Sequence, residues 1–167
     1  KSLEAVRRGV ELGLKVQTVE RGLVPTLLFT EKDLVVTAGQ DGLVANTAKY
    51  VGEQPIVAVN PDPERFDGVL LPFSPDQTRA AVGRTLEGKS RIRPVTLAEA
   101  RLNDGQRLLA FNDLFVGTNS HVSARYRISF RGSREPHSSS GIIVSTGAGS
   151  TGWLASVFNM AAAIAAM

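Results

Sequence analysis

Between Asp33 and Asn60 the chain passes from a short apolar run, D-L-V-V-T, through glycines flanking an acid to helical spacing over Leu43–Val51. It then returns to a second apolar run, P-I-V-A-V-N. Strand, turn, helix and strand in that order, with short connections, is the signature of a βαβ unit. Such a unit pairs its strands in parallel. Asp41 sits at its hinge, between Gly39 and Gly42. An acid at the start of a helix favours the helix dipole and can cap free amides. Flanked by glycines that allow close backbone approach to a phosphate, the same carboxylate can instead act as a base on a hydroxyl. The residues alone leave both readings open.

Around this unit the pattern predicts further elements. Leu3, Val6, Val10 and Leu14 stand at helical spacing, so an amphipathic helix is expected over Ser2–Leu14. An α/β domain normally begins with a strand, and the first strand is expected to be missing here. The segment from Pro75 to Gly88 reads as one helix ended by glycine. A boundary is expected near Asp76, giving an α/β part over 1–76 and a β-rich part over 77–167. In the second part R-L-L-A-F-N-D-L-F-V-G follows a hairpin turn at N-D-G-Q, and Arg125–Arg131 alternates as a half-buried antiparallel strand. G-S-R-E-P-H-S-S-S reads as turn-rich, G-I-I-V-S-T as a buried strand, and the alanine-rich end as a helix from about Thr151. That last part is expected to be truncated.

Composition narrows the function classes. The 167 residues are 43% hydrophobic, enough for a core, and no run approaches the roughly 18 apolar residues of a membrane span. With no secretory pattern at the start, a cytoplasmic protein without a membrane partner is the expectation. The absence of cysteine removes disulfides, thiolate metal sites and thiol nucleophiles. The formal charge is +3 and most basic residues are arginine, but no basic run with interleaved aromatics marks a nucleic-acid surface. The arginines read as a solvated face or as partners of phosphate-bearing small ligands. His121 and His137 have no partner at metal-ligand spacing, and no metal site of protein ligands is expected.

Gly147–Gly152, G-A-G-S-T-G, has the G-x-G-x-x-G spacing of a dinucleotide fingerprint. No acid follows Gly152 to take a ribose, and the preceding pattern is antiparallel, so the fingerprint fails. Trp153 and Leu154 stand where a P-loop needs Lys and Ser or Thr. What remains is a helix start capped by Ser150 or Thr151, with free N–H groups that can hold an anion.

Taken in order, A-G-Q-D-G-L, G-Q-R-L-L-A-F-N-D-L-F-V and S-G-I-I-V-S-T-G-A-G-S-T-G-W resemble the NAD kinase family in content, order and spacing. The linking G-K-S-R-I-R-P-V-T-L is similar to its interdomain segment. The resemblance implies a Rossmann-like α/β part and an antiparallel, β-sandwich-like part, with the site in the cleft between them. It implies transfer of the γ-phosphoryl of ATP, or of polyphosphate, to the 2′-hydroxyl of NAD, with Mg2+ carried by ATP. Asp41 would be the catalytic base, and Gly39 and Gly42 would let the phosphates pass. Asn60, Asn112, Asp113, Ser140, Thr146, Ser150, Thr151, Gly152 and Trp153 would bind nucleotide, and the protein would be a homodimer or homotetramer. The chain departs from the family at Gln40 for glycine, Leu43 for threonine and Ser140 for aspartate, and Gly147 and Ala148 replace proline and a small polar residue. These departures keep two alternatives in view: a kinase for a sugar or lipid hydroxyl, and a catalytically weak nucleotide-binding regulator.

Overall fold

In the computed structural model, which describes residues 2–166, Val35–Ala38 (β1) and Ile56–Val59 (β2) pair in parallel, register Val35↔Ile56 to Ala38↔Val59. Asp41–Thr47 (α2) is the crossover that a parallel pair requires. The chain divides into two compact units, residues 1–94 and 95–167.

In the first unit β2 is apolar on both faces, and the packing explains why. Successive side chains point to opposite sides of a strand. Val57 and Val59 pack with Val6 of Ser2–Val10 (α1) and with Ala81 and Val82 of Thr78–Leu86 (α3). Ala58 packs with Val44 of α2 and with Leu71. Helices therefore cover the parallel pair on both sides, and an alternating pattern would have put polar groups into one of the two cores. After β2 the chain makes a single parallel bridge, Val59 to Phe73, before a capping box at Ser74 starts the approach to α3.

Two expectations for this unit change. α1 stops at Val10 rather than Leu14, because the Leu12 N–H turns back onto the Val10 carbonyl and Gly13 takes a positive φ. The unit also runs past Asp76 to Pro94, because α3 buries Ala81 and Val82 against α1 and β2.

The second unit is built from antiparallel pairs. Ala98–Arg101 (β3) pairs with Arg107–Ala110 (β4), Asp113–Gly117 (β5) with Gly141–Ser145 (β8), and Ala124–Phe130 (β6) with Ser133–Ser139 (β7). These stand as separate two-stranded sheets. The stretch read as turn-rich is mostly strand β7, carrying Pro136 opposite Arg127. A strand paired on one side tolerates proline where its missing N–H would point outward. The real turn is Arg131–Gly132, both at positive φ, the geometry that matches the twist of a two-residue hairpin. The chain ends on Trp153–Ala165 (α4), which has no buried residue. Mixed α/β content is thus shown, with one parallel and three antiparallel strand pairs among the described residues. No described helix is long and apolar enough to cross a membrane.

Candidate functional site

In the first unit Asp41 is the first residue of α2, and Gln40 is its cap, in extended geometry and without a side-chain bond. Asp41 does not cap its own helix. Its Oδ1 accepts the Leu70 N–H at 2.6 Å, from a segment 29 residues away. The half-buried carboxylate thus ties the loop after β2 to the turn after β1. Among the described residues its second oxygen has no hydrogen-bond partner.

Asn60, 4% exposed, spends both ends of its amide on the same loop. Its Nδ2 donates to the Phe66 carbonyl at 2.8 Å, and its Oδ1 accepts the Asp62 N–H at 3.0 Å. The glycines beside Asp41 differ in surroundings. A Cβ on Gly39 would lie 2.8 Å from Leu43 Cδ2, whereas one on Gly42 would meet nothing within 4 Å. The leucine at position 43 therefore covers Gly39 and leaves Gly42 open.

In the second unit the β5–β8 pairing brings two distant sequence segments together, with Asp113 opposite Ser145. Just beyond the ladder the Thr146 N–H donates to the Asn112 carbonyl at 2.9 Å, and Thr146 Oγ1 donates to the Phe111 carbonyl at 2.5 Å. The same hydroxyl oxygen accepts the Gly149 N–H at 3.0 Å, so one buried threonine ties the Phe111–Asn112 stretch to the turn that runs to Gly149. Gly149 lies so close to Asn112 that any Cβ would be driven into its carbonyl. Asn112 presents its side chain outward, while Asp113 Oδ1 is buried with no partner among the described residues.

Ser150 and Thr151 do not cap α4. Ser150 Oγ donates back to the Gly147 carbonyl at 2.8 Å, and Gly152 occupies the cap position without a side-chain bond. Thr151, Gly152 and Trp153 are exposed at the helix start. Ser140 is not brought to this cluster: it adjoins the Gly117–Gly141 end of the ladder, opposite the Asp113–Ser145 end. Asn112, Asp113, Thr146 and the start of α4 converge, and Asp41, Gly39, Gly42 and Asn60 converge separately within the first unit.

Sequence reasoning did not reach Leu70, whose N–H holds Asp41, or Phe115, whose ring meets Trp153 at 5.6 Å between centroids. The first carries no side-chain signal, since a backbone amide is present at almost every residue. The second had one: Phe115 is two residues beyond Asp113 and so shares its strand face.

No family model matches the chain. Among curated proteins it is 29% identical over 149 residues to an NAD kinase of Chlorobium phaeobacteroides strain DSM 266, covering 86% of this chain and 50% of that protein. It is 27% identical over 148 residues to the NAD kinase of C. phaeobacteroides strain BS1, covering 85% and 50%. To the NAD kinase of Chlorobaculum tepidum it is 30% identical over 124 residues, covering 72% and 43%. The chain spans about half the length of the curated relatives it matches.

Proposed function

We propose that this chain, a divergent member of the NAD kinase family, transfers the γ-phosphoryl of ATP or polyphosphate to the 2′-hydroxyl of NAD, giving NADP. The observation that carries the reading is the convergence of Asn112 and Asp113 with Thr146, Gly149 and the start of α4, segments more than thirty residues apart locked by one threonine hydroxyl. In this reading the outward side chain of Asn112, Asp113, Thr151, Gly152 and Trp153 meet the adenosine part of the dinucleotide. Thr146 and Ser150 shape the backbone behind them, and Ser140 stands by the more distant ribose. Asn60 supports the site by holding the loop that Asp41 grips.

Asp41 is the base. Leu70 fixes Oδ1 and leaves Oδ2 to receive the hydroxyl proton as the ribose oxygen bonds to phosphorus and the bond to the departing ADP oxygen breaks. Magnesium would arrive on the triphosphate of ATP, held by its phosphate oxygens. The wider reading is a cytoplasmic homodimer or homotetramer with a Rossmann-like first part and a sandwich-like second part. Equilibrium sedimentation at micromolar concentration tests the assembly, and a strict monomer would remove it.

A catalytically weak nucleotide-binding protein is the second reading, favoured by Leu43 lying over Gly39. Asp41→Asn separates the two. Asparagine keeps an oxygen to accept the Leu70 N–H, so folding survives, but it cannot take a proton. Phosphorylation should fall by a factor on the order of 10² to 10⁴ with nucleotide binding retained. The assay supplies Mg-ATP with NAD, NADH, sugars or diacylglycerol and follows labelled phosphate into product. Transfer to no acceptor by the wild type would leave the binding reading, and transfer unaffected by the substitution would remove Asp41 from catalysis.

A further inference from the structure

Phe115 lies on β5 and Trp153 at the first position of α4, yet their ring centroids are 5.6 Å apart with planes inclined at 46°. Both side chains are left 48% exposed. Aromatic rings stabilise a fold chiefly by the area they bury, so a pair held in contact but left half in water is poorly accounted for by core formation.

The Phe115 ring is nevertheless held in one place. Gly117 and Gly141 face each other in the β5–β8 ladder. A Cβ on Gly117 would lie 2.6 Å from Phe115 Cζ, and a Cβ on Gly141 would lie 2.8 Å from Cε2. The ring rests over a floor from which both side chains are missing; a larger residue at either position would press on the ring and also on a backbone carbonyl 2.5 Å away, that of Ser140 or Val116. On the same strand face, two residues back and about 7 Å along the strand, Asp113 keeps its buried, unpartnered Oδ1. A buried acceptor without a donor is costly unless something else supplies the N–H or O–H. Open ring faces on the same strand face as a lone acceptor, about 7 Å along it, suit a planar heteroaromatic ring on a donor-bearing group, the chemistry of a purine nucleoside.

We infer that Phe115 is a positioning residue: seated over Gly117 and Gly141, it props the Trp153 indole at the start of α4 as a stacking face for a purine base, with Asp113 Oδ1 receiving a donor from the same nucleoside. The inference rests on the nucleotide-binding part of the reading above and not on phosphoryl transfer.

Trp153 is the single tryptophan of these 167 residues, so its fluorescence reports the site, and a Trp153→Phe variant identifies its share of the signal in the full chain. ATP, NAD and AMP should quench Trp153, and nicotinamide mononucleotide and UTP should not. Phe115→Leu should weaken the affinity for the three adenine compounds threefold to tenfold, the range that loss of one aromatic pair implies. Phe115→Tyr should restore it. With NAD as acceptor the loss should appear in KM, with kcat at saturation unchanged. Phe115→Met keeps the volume and repeats the test if the leucine variant folds poorly by circular dichroism. Equal affinities in wild type, Phe115→Leu and Phe115→Met, or no response of Trp153 to any adenine compound, would overturn the inference. NADP formation without a Trp153 response sinks the inference and spares the kinase. Adenine quenching that depends on Phe115, with no phosphoryl transfer, does the reverse.

Discussion

In residues 1–94 the turn that carries Asp41 rests on β-branched side chains, Val57 and Val59 on one side of β2 and Val44 across from Ala58 on the other. In residues 95–167 the turn that carries Asn112 rests on very little apolar burial. Ala110 and Phe111 are its buried hydrophobic residues, and position is fixed by the Thr146 hydroxyl and the approach of Gly149. The first turn has a packed core behind it, with bonds to the loop after β2 setting Asp41 and Asn60, whereas the second turn is fixed by directed bonds with little packing behind them. Packing tolerates small changes of shape at a graded cost, whereas a hydrogen-bonded backbone lock fails when one donor goes or one atom is added.

The largest effect expected from that contrast is at Gly149. Gly149→Ala should cost the second unit about 3 kcal/mol, since the added methyl meets backbone that cannot swing away. Urea unfolding followed by Trp153 fluorescence measures it, and a transition unmoved by the substitution would break the contrast. A matched exchange of threonine for valine sharpens it further. Thr146→Val removes a hydroxyl that donates to Phe111 and accepts from Gly149, leaving both unpartnered at a cost of about 2 kcal/mol. Thr78→Val in the first unit should have the opposite sign. Thr78 is fully buried and its Oγ1 has no partner among the described residues, so an isosteric methyl should stabilise by about 1 kcal/mol. Thermal melts of both variants should move in opposite directions, and movement in the same direction would erase the distinction.

The smallest effect concerns Glu99 on β3. The hydrogen bond from Arg101, and then that from Arg107 with the charges of both, hold its exposed carboxyl below its ordinary value of 4.5. A carboxyl with a lowered folded-state pKa contributes stability above its unfolded pKa and loses it as pH falls through the lowered one. Glu99→Gln should therefore be slightly less stable than wild type at neutral pH, with the two converging in strong acid. A gap that widens on acidification would contradict the pairing.

The same contrast governs what could be read from the chain. The parallel pair was legible because apolar runs bounded by proline and glycine leave few other arrangements, and β6 because Arg125 to Arg131 alternates. β7 was not, since Pro136 and the serines around it are common in turns, and only the neighbouring strand makes a strand of them. Asp41 and Asn112 were legible as candidates through motif order. What holds the first unit's candidates was not: the Leu70 amide has no chemical identity of its own, and Asn60, though named from the motif, shows its structural role only once the loop to Phe66 has closed around it. Leu43 could be seen as a departure from the motif, but its lying over Gly39 is a fact of side-chain direction.

The bond from Leu70 to Asp41 has one more consequence. A free carboxylate is symmetric, and half a turn about its last carbon–carbon bond exchanges two equal oxygens. Anchored by one of them, the Asp41 group stops being a rotor, and its oxygens become distinguishable, one a fixed pivot and the other a pointer with a set direction. That direction is dictated by a loop 29 residues away, so a shift of the Leu70 backbone would re-aim the pointer without altering any residue at the helix start.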